Sequence, residues 1–329
     1  MQGVRVTALE DDLADVRYAL GDHSWLATML QSQARGEPGA LNAYLHHLAP
    51  EATINGTRAT YRNYFVACER DGRPRVEKLT RKLAWNVVDY CIPRSRIAEA
   101  RRAMDRTGAT APLMRLEEEA RGLFTHLANS GEGGELLLYL LLEAVLGIPQ
   151  VLCKMPLKTS TEMHVHGADG VHATALDDGG IAVYWGESKL HGTVNSAVSK
   201  GMESLAELLT GDVHHRKRDM FLLRDHADLG DPRLTEALRT FFDEEDPNST
   251  KVQFRGACLV GFDLDDYPDL SVLEAEMETQ VRAAVKTWVE KAQAAITTHQ
   301  LTAVELEIFF VPVPSVADFR DLMRKALGQ

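Results

Sequence analysis

Apolar positions at Leu79, Leu83, Val87 and Tyr90 return with a helical period, which predicts a helix from Val76 to Tyr90 that ends on the approach to Pro93. Pro93 opens a second helix, to about Met104, and a third runs from Leu113 to Ala128. After the glycine-rich loop Asn129 to Gly134, Glu135 starts a strongly apolar helix to about Leu146. Val194, Ala197, Val198, Gly201, Met202 and Leu205 form one stripe of an amphipathic helix over Thr193 to Leu209, with Gly211 as its C-cap. Residues 233 to 242 and Ser271 to Ala295 also read as helices, and Ser315 with Asp318 opens a last one by a capping pattern. Strand patterns fall at Thr60 to Glu69, Gln150 to Leu157, Asp169 to Leu176, Ile181 to Leu190, Lys251 to Leu264 and Ala303 to Val313. Strands alternating with helices predict an α/β fold, with parallel crossovers and helices on both faces of the sheet. Before Thr60 only short helices at Asp15 to Gly21 and Leu26 to Ala34 are suggested. The chain divides into a weakly patterned α+β region (1–75), a helical segment (76–130) and a strand-bearing remainder (131–329).

The stretch from Gly167 to Lys189 is the densest in chemistry. Its two strand patterns flank Asp177-Asp178-Gly179-Gly180, a hairpin signal. A two-residue turn at Asp178-Gly179 sets Asp169 opposite Ser188, and a three-residue loop over 177–179 sets it opposite Glu187. In either register Asp169 and Glu187 are neighbours, since directly opposed Cβ atoms lie about 4.5–5.5 Å apart. Period-2 alternation puts Lys189 on the same face as Glu187. Ile181, Val183 and Trp185 share that face while Ala182, Tyr184 and Leu190 take the other, so the strand is covered on both sides and lies within a sheet.

Two carboxylates this close repel and favour a cation, and Mg²⁺ is typically held by one or two carboxylates plus phosphate and water. Lys189 could orient a water or offset charge on a phosphorane; a plain cross-strand salt bridge explains the same residues. Glu135 and Glu143 lie about 80° apart around the preceding helix at ~100° per residue, so both are not expected at one metal. Glu135, near the glycine-rich start, is preferred as a further ligand, with a charge at the helix start as the alternative.

Composition narrows the rest. At 329 residues, 45% hydrophobic and 26% charged, the chain reads as globular. A net charge of −12 disfavours a purely electrostatic nucleic-acid binder, so phosphate contacts must come from local basic patches or a metal. Two such patches stand out: Arg70 to Lys82, which reads more readily as a solvated turn and helix face, and His214 to Arg218, equally readable as a phosphate contact or an exposed turn. Cys68, Cys91, Cys153 and Cys258 are widely spaced with no CxxC pair, which fits a reducing, cytoplasmic setting. No signal-peptide core appears, and the apolar run Leu136 to Ile148 is broken by Glu143 and too short to span a bilayer, so no membrane segment is expected. His164, His166 and His172 around Asp169 offer a rival, His-based metal site. No G-x-S-x-G elbow, Walker loop or strand-borne G-x-G-x-x-G is present, so an ATP-driven activity needs a partner.

The order of helix with Glu135, strand, strand beginning at Asp169, strand ending Glu187-x-Lys189, then helix, resembles the core of the PD-(D/E)xK nuclease superfamily. The segments TSTEMHVHGADGVH, WGESKLHG, SGEGGELLLYLLLE and FFVPVPSVADF are similar, more specifically, to the HamA family of the Hachiman anti-phage defence system. The resemblance covers roughly Val76 to the C-terminus. It implies a nuclease-like domain over 131–329 with a mixed central sheet flanked by helices, and a Mg²⁺- or Mn²⁺-dependent DNA nuclease or nickase controlled by a superfamily 2-type helicase subunit, HamB. Carried over residue by residue, Asp169 and Glu187 would be metal ligands, Lys189 the catalytic lysine and Glu135 the helix-borne acid, with Glu132 and Glu143 as nearby alternatives. The superfamily motif usually has Pro before the Asp; Ala168 stands there. A second reading is a helicase-binding, DNA-sensing subunit whose nuclease site is auxiliary or inactive.

Overall fold

The structure, a computed structural model, describes residues 23–36, 39–48, 51–124, 131–155, 168–211, 213–269 and 275–328. A mixed sheet forms its centre. Four parallel strands lie side by side in the order β3 (Ala59–Val66), β8 (Leu306–Val313), β7 (Val252–Asp263) and β6 (Ile181–His191). Antiparallel strands extend both ends. β5 (Gly170–Ala175) and then β4 (Gln150–Leu152) follow β6, while β1 (Leu45–His47) and β2 (Ala52–Thr53) pair with β3. The architecture is that expected of the sequence and is compatible with a nuclease-like core.

Helices cover both faces because alternate strand residues are apolar on both faces. On one face, α2 (Val76–Ala84), α6 (Glu132–Ala144) and α11 (Val316–Leu327) bring Leu83, Leu141 and Phe319 onto Tyr184, Leu259 and Phe309. On the other, α7 (Val194–Thr210) and α10 (Ala275–Thr298) bring Met202, Leu205 and Trp288 onto Cys258, Val260 and Phe310. Toward the β4–β5 edge, α1 (His23–Ser32), α8 (Val213–His226) and α9 (Pro232–Phe242) cover Val171, Val183 and Trp185 with Leu30, Leu223 and Phe241. Each such side chain contributes roughly 1.5–3 kcal/mol on burial.

Local signals set several boundaries. The hydroxyl oxygens of Thr193 and Ser315 accept the amides of Ser196 (3.2 Å) and Asp318 (3.1 Å), and Asp231 Oδ1 accepts that of Leu234 (2.9 Å), so three helices start where their caps stand. Several boundaries differ from the sequence reading, among them the single helix expected over Val76 to Tyr90, which is two, Val76–Ala84 and Val87–Cys91. The helix read as starting at Glu135 begins at Glu132, because Gly133 and Gly134 are packing residues of its first turn rather than loop. A side chain at Gly133 would meet Phe319 (2.9 Å) and Met323 (3.0 Å) of α11. The strand read over Gln150 to Leu157 ends at Leu152, leaving Lys154 beyond it. Residues 156–167, with His164 and His166, lie outside the described residues, as does the helix read at Asp15 to Gly21. Between α2 and α6 the chain is helical through α3 (Val87–Cys91), α4 (Arg94–Thr107) and α5 (Ala111–Gly122).

Candidate active site

The hairpin turn fixes the register around Asp169. Pairs run from Ala175–Ile181 to Gly170–Gly186, and the Leu176 amide donates to Gly180 O (2.8 Å), closing a three-residue loop over 177–179. Gly179 takes φ +80°, the left-handed position that such loops require. Of the two registers open to the sequence, this is the one directing Asp169 to Glu187. Just past the last pair, the Asp169 amide donates to Gly186 O (2.6 Å) and its Oδ2 accepts the Ser188 amide (2.8 Å), so Asp169 brackets the Glu187 position. Glu187, 4% exposed near the end of β6, forms an ion pair through Oε1 with Lys189 Nζ.

Distant residues complete the cluster. Lys154, 3% exposed, donates to the Ala168 carbonyl, and the Tyr90 hydroxyl of α3 lies 2.9 Å from the Asp169 carbonyl. The same hydroxyl is 2.8 Å from Glu135 Oε2. Burial first, then Glu135 and Asp169, push the Tyr90 phenol well above its usual range, so it stays protonated, and its one proton is shared between the two acceptors. Through this hydroxyl Glu135 is tied to the Asp169 turn. Gly134 permits α6 to approach β6: a Cβ there would overlap Ser188 Oγ and come within 3.2 Å of Leu190.

Burial raises the Glu187 carboxyl above its ordinary value; Lys189 and then Lys154 oppose this, and the Glu135 charge adds to it. Burial alone would lower Lys189, but its hydrogen bond to Glu187 and the charges of Glu187 and Asp169 carry it above the usual lysine value. It is an ammonium at neutral pH and cannot take a proton from water. Three carboxylates, Asp169, Glu187 and Glu135, thus gather with two ammoniums, Lys189 and Lys154. The fully buried Cys258 thiol, paired in register with Glu187 on β7, floors the site.

The HamA family model matches residues 42–327, a span that includes every member of this cluster. The chain belongs to the HamA family. That places it in Hachiman antiviral defence. No curated protein matches the sequence.

The structure separates the other acids considered for HamA chemistry. Glu143 lies two turns down α6, buried, accepting the Gln150 amide (2.8 Å), the Arg35 amide and the Arg94 guanidinium (3.1 Å). It anchors elements and does not face Asp169. The Glu132 side chain lies outside the described residues. His172 is turned away from Asp169, its Nδ1 2.9 Å from Ile148 O. In the Arg70 to Lys82 run, Arg73, Arg75, Lys78 and Arg81 are ion-paired to Asp71, Glu69 or Glu77, so most of its charge is internally satisfied. His214 to Arg218 lies on α8, with side chains outside the described residues. Sequence reasoning noted Lys154 without giving it a role and missed Tyr90 as a site residue, because neither carries a local signal linking it to Asp169.

Proposed function

We propose that the chain is the metal-dependent nuclease or nickase of its defence system, cutting DNA under the control of a partner helicase, HamB. One observation carries the reading: Asp169 brackets Glu187, with the Lys189 ammonium on the same strand face and Glu135 close enough to raise the Glu187 carboxyl. The donor set consists of carboxylate oxygens, the chemistry that suits Mg²⁺ or Mn²⁺. Among the described residues no three His, Cys, Asp or Glu side chains stand close enough to share a metal as they are. Two carboxylates with phosphate and water are sufficient for Mg²⁺. The cluster carries one net negative charge, and burial of Glu187 makes that charge costly, so a divalent cation at Asp169 and Glu187, with Glu135 behind them, is electrostatically favoured.

When bound, such a cation polarises a scissile phosphate and makes its water a stronger nucleophile. The chain's own residues do the remainder. Asp169 and Glu187 would hold the cation, and the Lys189 ammonium beside Glu187 would donate hydrogen bonds to the charge that develops on the phosphate oxygens. Lys154 and Tyr90 hold the main chain at Ala168 and Asp169, steadying the Asp169 carboxylate.

Plasmid incubated with the chain, its partner helicase and Mg²⁺ or Mn²⁺ is expected to be nicked or degraded. Glu187→Ala with Lys189→Ala should abolish cutting, and unchanged cutting by that variant refutes the site. The closed Glu187–Lys189 ion pair favours one second reading, a helicase-binding, DNA-sensing subunit with an auxiliary site. On that reading the same variant still protects cells; on the first it does not.

A further inference from the structure

We infer that the carboxyl end of β6 carries a phosphate-binding rim, formed by Lys189, His191, Lys200 and Arg320, that holds the DNA backbone beside the Glu187 site. The inference rests on the nuclease reading for its substrate and adds the surface that would bind it. Lys189 and His191 share a strand face, and Lys200 stands on α7, the helix packed over that face. Arg320 comes from α11 on the opposite face and closes around the strand end, its guanidinium donating to Leu190 O (2.8 Å). Three elements thus bring donors to one exit of the sheet.

Lys189 is ion-paired to Glu187, but the other two cations of the rim lack such counter-charge. Among the described residues Lys200 and Arg320 form no ion pair, and Arg320 Nε has no hydrogen-bond partner. Neighbouring Arg324 is satisfied differently, by Asp321 on its own helix. Asp263, on the neighbouring β7, accepts the Val316 amide at the start of α11. Its Oδ2 would lie 3.3 Å from a Cβ at Gly192. Burial lowers the His191 imidazole, and Lys200, Arg320 and Lys189 each lower it further, which places all three cations within electrostatic reach of that ring. Cations gathered at one point in a chain of net charge −12 repel each other and favour an anionic ligand. A polyphosphate backbone suits them because successive phosphates can be met by separate donors while the next one lies over Glu187.

Binding of the full chain to fluorescein-labelled duplex DNA, followed by anisotropy in EDTA across a salt series, tests this without cutting. Lys200→Gln with Arg320→Gln is expected to weaken binding at least tenfold and to reduce the slope of log K against log salt by about 2, roughly 1 per phosphate contact. Arg101→Gln with Arg102→Gln, exposed on α4, removes the same charge and is expected to change little. Lys200→Gln alone, at an exposed helix position that does not hold the fold, should give about half the slope change. Rim and control variants that bind alike overturn the inference. So does a rim variant that keeps its DNA affinity but no longer co-purifies with the helicase, which would make the surface a protein-docking site. If the wild-type chain shows the rim-dependent binding but never cuts with metal, the rim stands and the nuclease reading falls.

Discussion

Tyr90 shows why the site is rigid without being local. Its hydroxyl ties α3 to both Glu135 and the Asp169 main chain, so Tyr90→Phe leaves two buried acceptors with one donor fewer. The expected cost is about 1–3 kcal/mol, read as a lower urea midpoint with an unchanged m-value. His172 gives the residue-scale pH dependence. Burial, aided by the Arg94 charge and opposed by the Ile148 carbonyl, takes its imidazole down to about 4. The unfolded chain binds that proton near pH 6.5, the folded chain only near 4, so stability falls as pH drops between the two and is insensitive to this group above them. On the order of 2 kcal/mol should be lost by pH 5 from this group. Urea titrations at pH 7.5 and 5.0 should show a smaller drop for His172→Gln; an equal drop contradicts the assignment. Asp169, Glu187 and Lys189 were legible in the sequence because strand parity is a local property. Tyr90 and Lys154 were not, since each meets the Asp169 turn only through tertiary folding.

At the scale of elements, α6 against β6 decides where Glu135 stands. Gly134→Ala introduces a methyl that overlaps Ser188 Oγ, an overpacking expected to cost about 1–3 kcal/mol and to push the helix start, with Glu135, off the strand. Ser188 Oγ is buried without a hydrogen-bond partner among the described residues, so Ser188→Ala alone should be neutral or slightly stabilising. The double variant should recover part of the Gly134→Ala loss, a non-additivity measurable by thermal melts. Helices were legible where caps and apolar stripes coincide, as at Thr193, Asp231 and Ser315. The start of α6 was misplaced because glycines read as loop residues can equally be places where a helix must lie close to its neighbours. The choice between hairpin registers depended on whether Gly179 took the left-handed position within a three-residue loop, which both sequence readings allowed.

For the whole molecule, the alternation of strands and helices announced a layered α/β fold, and β6 was recognisable as an interior strand from its two apolar faces. The place of β3 was not, because its parallel pairing with β8 joins Ala59 to Leu306 across most of the chain, and no local pattern encodes such a partner. Family membership adds the defence context. No helix among the described residues is long and apolar enough to cross a membrane. The central claim is that Asp169 and Glu187 form a divalent-cation centre. Because cutting is expected to depend on a partner, cation binding is the more direct measurement. Calorimetric titration of the metal-free chain with Mn²⁺ should show one site in the wild type, weakened at least tenfold in both Asp169→Asn and Glu187→Gln with their melting temperatures otherwise retained. Equal Mn²⁺ affinity in wild type and both variants would contradict the account.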